Sequence, residues 1–280
     1  MHKAKKSLGQ NFLKSEIALR KIIEAGEINP VRSRAHAEGA SPLDRGAATS
    51  NGVKNQDLVL EIGPGKGALT KQLLGSSDQV LAVEKDKELI EFLKQKFNKE
   101  IEEKKLILVE GDILEFNTSH YNLETRTYKL IANIPYNITG AILKKFLTEK
   151  NQPKTMVLMV QHEVAQRILA RDGKESILSI SVKAYGEPKM VAKVDKRYFS
   201  PAPKVNSAII SIKNISRKIF EENKVNEEKF WEIVKTGFAH KRKKLSGNLK
   251  GMCQGESLAS FGDKRAENLT LSDWVSLSKS

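Results

Sequence analysis

The stretch "LEIGPGKGALT", residues 60–70, decides the fold that this sequence predicts. An apolar run, "DLVLEI", leads into Gly63, Gly65 and Gly67, and "GALTKQLLG" follows as a short helix. Glycine permits a tight turn and close approach of a ligand, and the helix behind it offers free N–H groups. The spacing differs from the dinucleotide fingerprint and lacks the ending of a P-loop, so neither a dinucleotide nor a triphosphate is the favoured ligand.

Strand-like and helix-like segments alternate after that stretch. The short apolar runs "QVLAVE", "KLILVEGD", "YKLIAN" and "TMVLMVQ" are separated by segments with helical spacing, such as "DKELIEFLKQKF" and "TGAILKKFLTE". This alternation predicts a parallel sheet with helices on both faces. Two closely spaced runs, "KMVAKVDKRYF" and "KVNSAIISIK", predict an antiparallel pair at one edge of the sheet.

The patterns divide the chain into two predicted domains. Residues 1–217 form an α/β domain with a mostly parallel sheet and an antiparallel edge, and residues 218–280 form a small all-α C-terminal domain. In the second domain, "NEEKFWEIVKTGFAHKRKKLSGNL" predicts a helix that continues into a basic cluster. In the first, residues 30–55 are rich in Ala, Gly, Ser, Arg and Pro, which predicts a flexible surface insertion.

Composition narrows the class of partner. The chain has 280 residues and a formal net charge of +14, which favours a polyanion such as nucleic acid. The densest basic cluster is the candidate RNA contact and comprises Lys241, Arg242, Lys243 and Lys244. No apolar run is long enough to predict a membrane span. Cys253 is the only cysteine, which excludes an internal disulfide and a multi-cysteine metal site and fits a reducing cytoplasm, and we expect no metal.

Acidic residues stand at the ends of the next two predicted strands. Glu84 closes "VLAVE", and Asp112 stands in "EGD". Ligands of open α/β sheets bind outside the carboxyl ends of the strands, where Glu84 can accept hydrogen bonds from both ribose hydroxyls and Asp112 can meet an adenine edge. Either acid alone could be a solvated strand end. Glycines, Glu and Asp on three successive strand ends favour a nucleoside-containing ligand.

The following strand ends in "NIPY", residues 133–136. Asn133 can accept a hydrogen bond from an exocyclic amine through its side-chain oxygen. Pro135 biases Ile134 to an extended form, which would hold the Ile134 carbonyl outward as a second acceptor. Tyr136 offers a flat face on which a base can stack. The alternative interpretation is a structural turn with a buried tyrosine.

Two acceptors and an aromatic plane suit the amino group of a nucleobase. The adenine amino nitrogen is a poor nucleophile, and two acceptors on its hydrogens would offset the positive charge that develops during attack. With an activated sulfonium donor, the site needs alignment and electrostatic complementarity rather than a metal. The base must leave its stack. Phe199, in "YFSPAPKVNSA", could close the other face of that base or could be a core aromatic.

Six motifs in this order, "GQNFL", "LEIGPGKGALT", "VLAVE", "EGD", "NIPYNI" and "FSPAPKVNSA", closely resemble the KsgA (RsmA) family of ribosomal RNA adenine dimethyltransferases. The resemblance covers nearly the whole chain, including "FAHKRKKLSGNL" in the helical domain. It implies a Rossmann-like, S-adenosylmethionine-dependent methyltransferase. The implied substrate is N6 of two adjacent adenosines in the 3′-terminal hairpin of small-subunit (16S) ribosomal RNA. We further expect a cytoplasmic monomer that has the assembling small ribosomal subunit as its partner.

The resemblance also implies roles for single residues. The implied cofactor site draws on several motifs and comprises Asn11, Leu13, Gly63, Gly65, Glu84, Asp112 and Asn133. Within it, Glu84 would hold the ribose and Asp112 the adenine. Asn133 would also bind the target amine, and the rings of Tyr136 and Phe199 would sandwich the target base.

Two segments depart from the family's pattern, and two other functions stay open. Residues 30–55 form a longer connection than usual, and "RDGKESILSISVKAYG" is a shorter linker. A resistance methylase of large-subunit ribosomal RNA has the same fold and a similar "NIPY" motif, although "PAPKVNSA" and "HKRKKLSGNL" favour the small-subunit type. A non-catalytic ribosome-assembly or transcription factor on this fold would lose the methyl-donor pocket, and the intact glycines and acids argue against it.

Overall fold

The computed structural model describes residues 4–28, 58–121, 123, 126–252 and 256–279, so the predicted insertion at residues 30–55 and Cys253 lie outside the described residues. The described helices are α1 (Glu16–Ala25), α2 (Ala68–Leu74), α3 (Lys87–Lys96), α4 (Asn98–Glu102), α5 (Thr139–Thr148), α6 (His162–Leu169), α7 (Ile177–Lys183), α8 (Lys218–Asn223), α9 (Glu227–Gly237), α10 (Leu245–Asn248), α11 (Glu256–Phe261) and α12 (Leu271–Ser278). The strands are β1 (Phe12–Leu13), β2 (Leu58–Ile62), β3 (Gln79–Glu84), β4 (Leu106–Glu110), β5 (Tyr128–Asn133), β6 (Thr155–Gln161), β7 (Glu187–Val194), β8 (Phe199–Ser200) and β9 (Ser207–Lys213).

Seven strands form one sheet in the order β4-β3-β2-β5-β6-β9-β7. The five strands from β4 to β6 are parallel, whereas β9 pairs antiparallel with both β6 and β7. The predicted mostly parallel sheet with an antiparallel edge is confirmed. The chain crosses from β2 to β3 and β4 on one side and returns to β5 on the other, so the strand order reverses at β2. Ligands of such sheets bind at this reversal.

Alternation along the strands produces a core on each face of the sheet. On one face, Val59 and the strand residues that point the same way pack with apolar residues of α1, α2 and α3. On the other face, Leu60 and the strand residues that point with it pack with apolar residues of α5, α6 and α7. The second core continues into the C-terminal helices, where the Trp274 side chain is fully buried. None of the described helices combines the length and apolar composition needed to cross a membrane.

The basic cluster differs from its prediction. The prediction that a helix continues through the basic cluster is wrong. The helix α9 ends at Gly237, and the four cations occupy an exposed loop before α10. Asn248 accounts for the break: its Nδ2 donates to the carbonyls of Gly237 at 2.6 Å and His240 at 3.2 Å. These bonds turn α10 back onto the end of α9. Phe238, the first residue after α9, stacks on Trp274 with ring centroids 5.4 Å apart.

The glycine turn is tested by Gly67→Ala. Gly67 caps α2 at φ +74°, and an added Cβ would lie 2.4 Å from the Phe97 ring. Backbone strain and overpacking should together lower the free energy of unfolding by about 2 kcal/mol or more. Urea unfolding measures this difference. Gly75→Ala, at the other end of α2 with φ −79° and its nearest atom at 3.6 Å, is the matched control and should leave stability equal or slightly higher. Equal losses in both variants would contradict this account.

Candidate active site

A cavity of about 470 Å³ opens at the carboxyl ends of β2, β3 and β5. Its wall holds residues from motifs that are far apart in the sequence. Those that were predicted from the sequence are Asn11, Leu13, Gly63, Gly65, Glu84, Asp112, Asn133 and Tyr136. The fold therefore brings every predicted cofactor residue and the predicted stacking tyrosine to one cavity.

The glycine loop presents its backbone to this cavity. Gly63 has φ +65°, and no described atom lies within 4 Å of the place where a Cβ would stand. Gly65, at φ +59°, is covered by the Phe12 ring, which an added Cβ would meet at 3.0 Å. A ligand can thus approach the main chain at Gly63, while Phe12 holds the next part of the turn.

Glu84 is held by backbone amides. The Gly65 N–H donates to Glu84 Oε2 and the Asp86 N–H donates to Oε1, each at 3.0 Å. Burial raises the pKa of the Glu84 carboxyl, and these backbone hydrogen bonds act in the opposite direction. Because a carboxylate oxygen can accept a second hydrogen bond, the fixed carboxylate can still receive a pair of hydroxyl donors.

Asp112 is anchored at both oxygens. Lys85 Nζ lies 2.7 Å from Oδ2, and the Leu114 N–H donates to Oδ1 at 2.9 Å. The Lys85 hydrogen bond is the main cause that lowers the pKa of the Asp112 carboxyl, with the Leu114 amide second. Asp112 is therefore an ionised acceptor at neutral pH on the cavity wall.

Asn133 ends β5 with its side chain oriented by the N-terminal segment. Its Nδ2 donates to the Asn11 carbonyl at 3.1 Å, which leaves Oδ1 as an acceptor. Ile134 also lines the cavity. Within the described part of the chain, its carbonyl accepts no hydrogen bond. The two acceptors expected from "NIPY" thus belong to residues that line the cavity, and neither accepts a hydrogen bond from the described residues.

Tyr136 follows directly and is fixed through its hydroxyl. The hydroxyl lies 2.6 Å from Ser207 Oγ at the start of β9. Burial raises the pKa of the Tyr136 phenol, so the ring is neutral at physiological pH. The ring is half-buried and lines the cavity, which fits a platform for a base.

Phe199 corrects an expectation. Its side chain is 4% exposed and belongs to the core cluster that contains Leu13 and Ile209. The physical reason is the pairing of β8 with β1, which sets Phe199 opposite Leu13 and leaves the next residue, Ser200, on the cavity wall. In this structure Phe199 offers no open face for a target base, whereas Tyr136, the other predicted stacking residue, lines the cavity.

The N-terminal segment is held over the cavity by Asp86. Lys5 Nζ and Gln10 Nε2 donate to the two Asp86 oxygens at 2.7 and 2.8 Å. Burial raises the pKa of Asp86, but these hydrogen bonds outweigh it and the net pKa is lowered. The sequence alone did not show what "GQNFL" touches. Its residue Gly9 packs on Pro135, which an added Cβ would meet at 3.3 Å, so the segment rests on "NIPY".

Glu61 is a cavity residue that the sequence reasoning missed. It is 1% exposed and lines the cavity, and no described group meets hydrogen-bond geometry with either carboxyl oxygen, although Thr70 lies near enough to lower the pKa in part. Burial is the main cause that raises the pKa of this carboxyl to about 8, with the neighbouring Glu84 charge acting in the same direction. A charged residue inside the apolar run "LVLEI" was the available signal. Such a carboxyl suits a cationic ligand group.

These residues fit S-adenosylmethionine, which carries a ribose, an adenine, an ammonium and a sulfonium. Glu84 and Asp112 would hold the nucleoside, and the open backbone at Gly63 with the unpaired Glu61 would face the positively charged methionine part. When bound, the cofactor supplies an electrophilic methyl group. A glycine turn and two acids at successive ends of a parallel sheet, around a cavity of this kind, define a Rossmann-like methyltransferase that uses S-adenosylmethionine.

Comparisons with known proteins identify the family. The family model described as ribosomal RNA adenine dimethylase matches residues 1–280. A ribosomal RNA small subunit methyltransferase A from Dehalococcoides mccartyi is 36% identical, over 98% of this chain and 87% of that protein. The solved structure of a dimethyladenosine transferase from Plasmodium falciparum has a TM-score of 0.72 at 26% identity and covers 95% of both chains. The 23S rRNA methyltransferase ErmE shares the fold, with a TM-score of 0.70 at 22% identity over 96% of this chain and 98% of that one.

The chain belongs to the ribosomal RNA adenine dimethylase family. It is therefore an S-adenosylmethionine-dependent enzyme that dimethylates adenine in ribosomal RNA. The predicted family and the predicted Rossmann-like fold are confirmed.

The buried Glu61 carboxyl makes a prediction about stability and pH. In the cofactor-free protein the folded-state pKa is about 8 and the ordinary value is 4.5, so between these pH values the unfolded chain binds fewer protons than the folded one. Stability should therefore fall across this window, by at most about 1.4 kcal/mol per pH unit from this group. Glu61→Gln removes the titration, so its stability relative to the wild type should rise from pH 4.5 to pH 8.

Urea unfolding of cofactor-free protein over this pH range measures the effect. The exposed Glu91, on α3, provides the control variant Glu91→Gln, which should follow the wild-type pH profile. Parallel profiles for the wild type and Glu61→Gln would show that Glu61 is ionised in the empty site, contrary to our account.

Proposed function

We propose that this enzyme dimethylates N6 of two adjacent adenosines in the 3′-terminal hairpin of small-subunit ribosomal RNA. It acts on the assembling small subunit, as a monomer in the cytoplasm, and residues 218–280 form its small helical RNA-binding domain. The relatives named ribosomal RNA small subunit methyltransferase A support the choice of subunit. The observation that supports the chemistry is the orientation of Asn133, whose Nδ2 donates to the Asn11 carbonyl and so leaves Oδ1 as the acceptor for a ligand.

The chain's own residues then do three things in the reaction. In the first transfer, Asn133 Oδ1 and the Ile134 carbonyl accept the two hydrogens of the target amine, which directs its lone pair away from the ring. In the second transfer, one of these acceptors takes the single hydrogen that remains. Tyr136 supports the flipped base from one face. The acceptors also offset the positive charge that develops on the nitrogen, and this is electrostatic stabilisation by groups already in place. After the transfer, the amine proton leaves to solvent or to a nearby acceptor.

The choice of substrate is tested by mass mapping of ribosomal RNA. Purified small subunits that lack the modification, intact large subunits and S-adenosylmethionine with a labelled methyl group are incubated with the enzyme. We expect two adjacent dimethylated adenosines near the 3′ end of the small-subunit RNA and no label in the large subunit. Label in large-subunit RNA alone would establish the resistance-methylase alternative. No label in either RNA would overturn the proposed substrate.

The same assay tests Asn133. Asn133→Ala should lower the rate of methyl transfer by about 100- to 1,000-fold, as for loss of one preorganised hydrogen-bonding group, while RNA binding persists. Asn98→Ala, on α4 and outside the cavity lining, is the matched control and should keep full activity. Unchanged transfer by Asn133→Ala would remove the role assigned to this side chain.

The basic loop is tested through salt dependence. Lys241, Arg242 and Lys243 are exposed, whereas Lys244 pairs with Asp263 at 2.7 Å. If the first three contact phosphates, replacing them with Gln should reduce the slope of log affinity against log salt by about 0.7 to 0.9 for each phosphate that they neutralise. The control replaces Lys87, Lys94 and Lys99, which are exposed on α3 and α4. Equal slopes for the loop variant and the wild type would assign RNA binding to another surface.

A further inference from the structure

An exposed basic and aromatic ledge borders the cavity. We define the 196–205 ledge by Lys196, Arg197, Tyr198, Lys204 and Val205, all of which are exposed. Tyr198 and Val205 are 42% and 44% exposed, and they belong to the small set of large apolar side chains that the described residues leave in solvent. Two exposed apolar side chains on one short segment beside a cavity are candidates for contact with a ligand.

The backbone of the ledge is fixed to the wall of the cavity. The Lys14 N–H donates to the Tyr198 carbonyl at 2.8 Å, and Lys14 lines the cavity. The Lys196 N–H donates to Asn206 Oδ1 at 3.0 Å, which ties one end of the ledge to the other. The main chain that carries the exposed Tyr198 ring is therefore fixed, so a ligand that stacks on the ring has little backbone to order.

The ledge also reaches the predicted stacking platform. Ser207 lies two residues beyond Val205, and its Oγ holds the Tyr136 hydroxyl at 2.6 Å. At the other end, Ser200 follows Tyr198 and Phe199 and lines the cavity itself. The nucleotide next to a base in the cavity is only one backbone unit away, so an RNA strand that leaves over this border would contact the ledge.

The charges of the ledge complement a phosphate backbone. Lys196, Arg197 and Lys204 contribute three exposed cations to the ledge, and the exposed Lys14 is joined to it through its backbone. Asp195 contributes one carboxylate, which lies 3.7 Å from Arg197 Nε. The Arg197 guanidinium stands over the Tyr198 ring, with its carbon 5.6 Å from the ring centroid. Cations beside an aromatic plane are the usual means by which proteins bind single-stranded nucleic acid without reading its sequence.

We infer that the 196–205 ledge binds the nucleotide that flanks the target adenosines, with its base stacked on Tyr198 and its phosphates on the surrounding cations. This inference rests on the proposed function and adds to it a second binding position. RNA is favoured over a ribosomal protein because the exposed aromatic ring lies among cations at the mouth through which the target base enters. The ledge positions the strand, whereas Asn133 and Tyr136 act on the target base.

The test uses an RNA fragment of the 3′-terminal hairpin with 2-aminopurine one nucleotide before or after the adenosine pair. Stacking on Tyr198 should quench the fluorescence of one of the two RNAs when the wild-type enzyme binds. Tyr198→Ala should abolish that quenching and weaken RNA binding about tenfold. Tyr198→Phe should retain both, because it keeps the ring. The affinity for S-adenosylmethionine, measured by calorimetry, should be the same in every variant.

A matched control comes from α3. Phe92 is 41% exposed, and Lys96 Nζ lies 5.7 Å from its ring centroid, so it is a similar aromatic–cation pair that does not line the cavity. Phe92→Ala should bind the RNA and quench its fluorescence as the wild type does. Replacing Lys196 and Lys204 together with Gln should lower the salt slope by about 0.7 for each phosphate that these two side chains neutralise.

The outcomes separate this inference from the proposed function. Wild-type-like quenching and affinity in Tyr198→Ala, in an enzyme that still methylates the fragment, would overturn the ledge alone. If Tyr198→Ala weakened binding to intact small subunits but not to the RNA fragment, the ledge would be assigned to a ribosomal protein. That result would also overturn the inference that it binds RNA. A wild-type enzyme that methylates neither the hairpin nor small subunits that lack the modification would instead refute the proposed substrate.

Discussion

Parallel pairing of β2 with β3 on one side and β5 on the other is the constraint from which the site follows. Each pairing runs over five residues, from Leu58 to Ile62, so three strands end at the same edge of the sheet. The residues that follow those ends are the glycine turn, Glu84 with its neighbours, and Asn133 with "NIPY". A slip in register would separate these groups and turn apolar side chains to the wrong face. The fold and the cavity are therefore specified by the same set of backbone hydrogen bonds.

The cavity also contains features that usually destabilise a protein, namely a buried carboxyl and backbone at positive φ. Glu61 is a buried carboxyl without a described partner inside a strand whose other residues are apolar. The glycine turn holds three residues at positive φ, and Phe97 and Phe12 occupy the space that side chains at two of them would fill. Such features cost stability and persist at functional sites, where a ligand supplies the missing interactions.

Much of this fold could be predicted because its elements repeat local patterns. The apolar strands and amphipathic helices of the first domain follow periods of two and 3.6, and their order implies a parallel sheet. The basic run after Gly237 could not be predicted in this way, because Asn248 breaks the helix through hydrogen bonds formed only after the chain has turned back. Similarly, α7 lies in the stretch interpreted only as a linker, although Ser176 and Ser179 cap it reciprocally.

The site shows the same division between local chemistry and tertiary contact. Residue type and strand-end position indicated Glu84, Asp112, Asn133 and Tyr136, because the carboxyl ends of neighbouring parallel strands must meet. Phe199 is buried because β8 pairs with β1, and no local sequence pattern encodes that pairing. Glu61 was hidden for the opposite reason, since its neighbours in the strand mark it as core and only the cavity shows what the carboxyl faces.

The acceptor geometry at Asn133 depends on the N-terminal segment as well as on the sheet. An asparagine amide can present either its oxygen or its nitrogen to a ligand, and only the oxygen helps an amine to attack. The Asn11 carbonyl settles this choice by accepting from Nδ2, and it is held there because Lys5 and Gln10 both bond to Asp86. Asp86 in turn caps α3 and donates its own N–H to Glu84. One short hydrogen-bonded chain therefore connects Glu84, the carboxylate proposed to bind the ribose, with Asn133, the side chain proposed to receive the target amine, so the two proposed positions share the same scaffold.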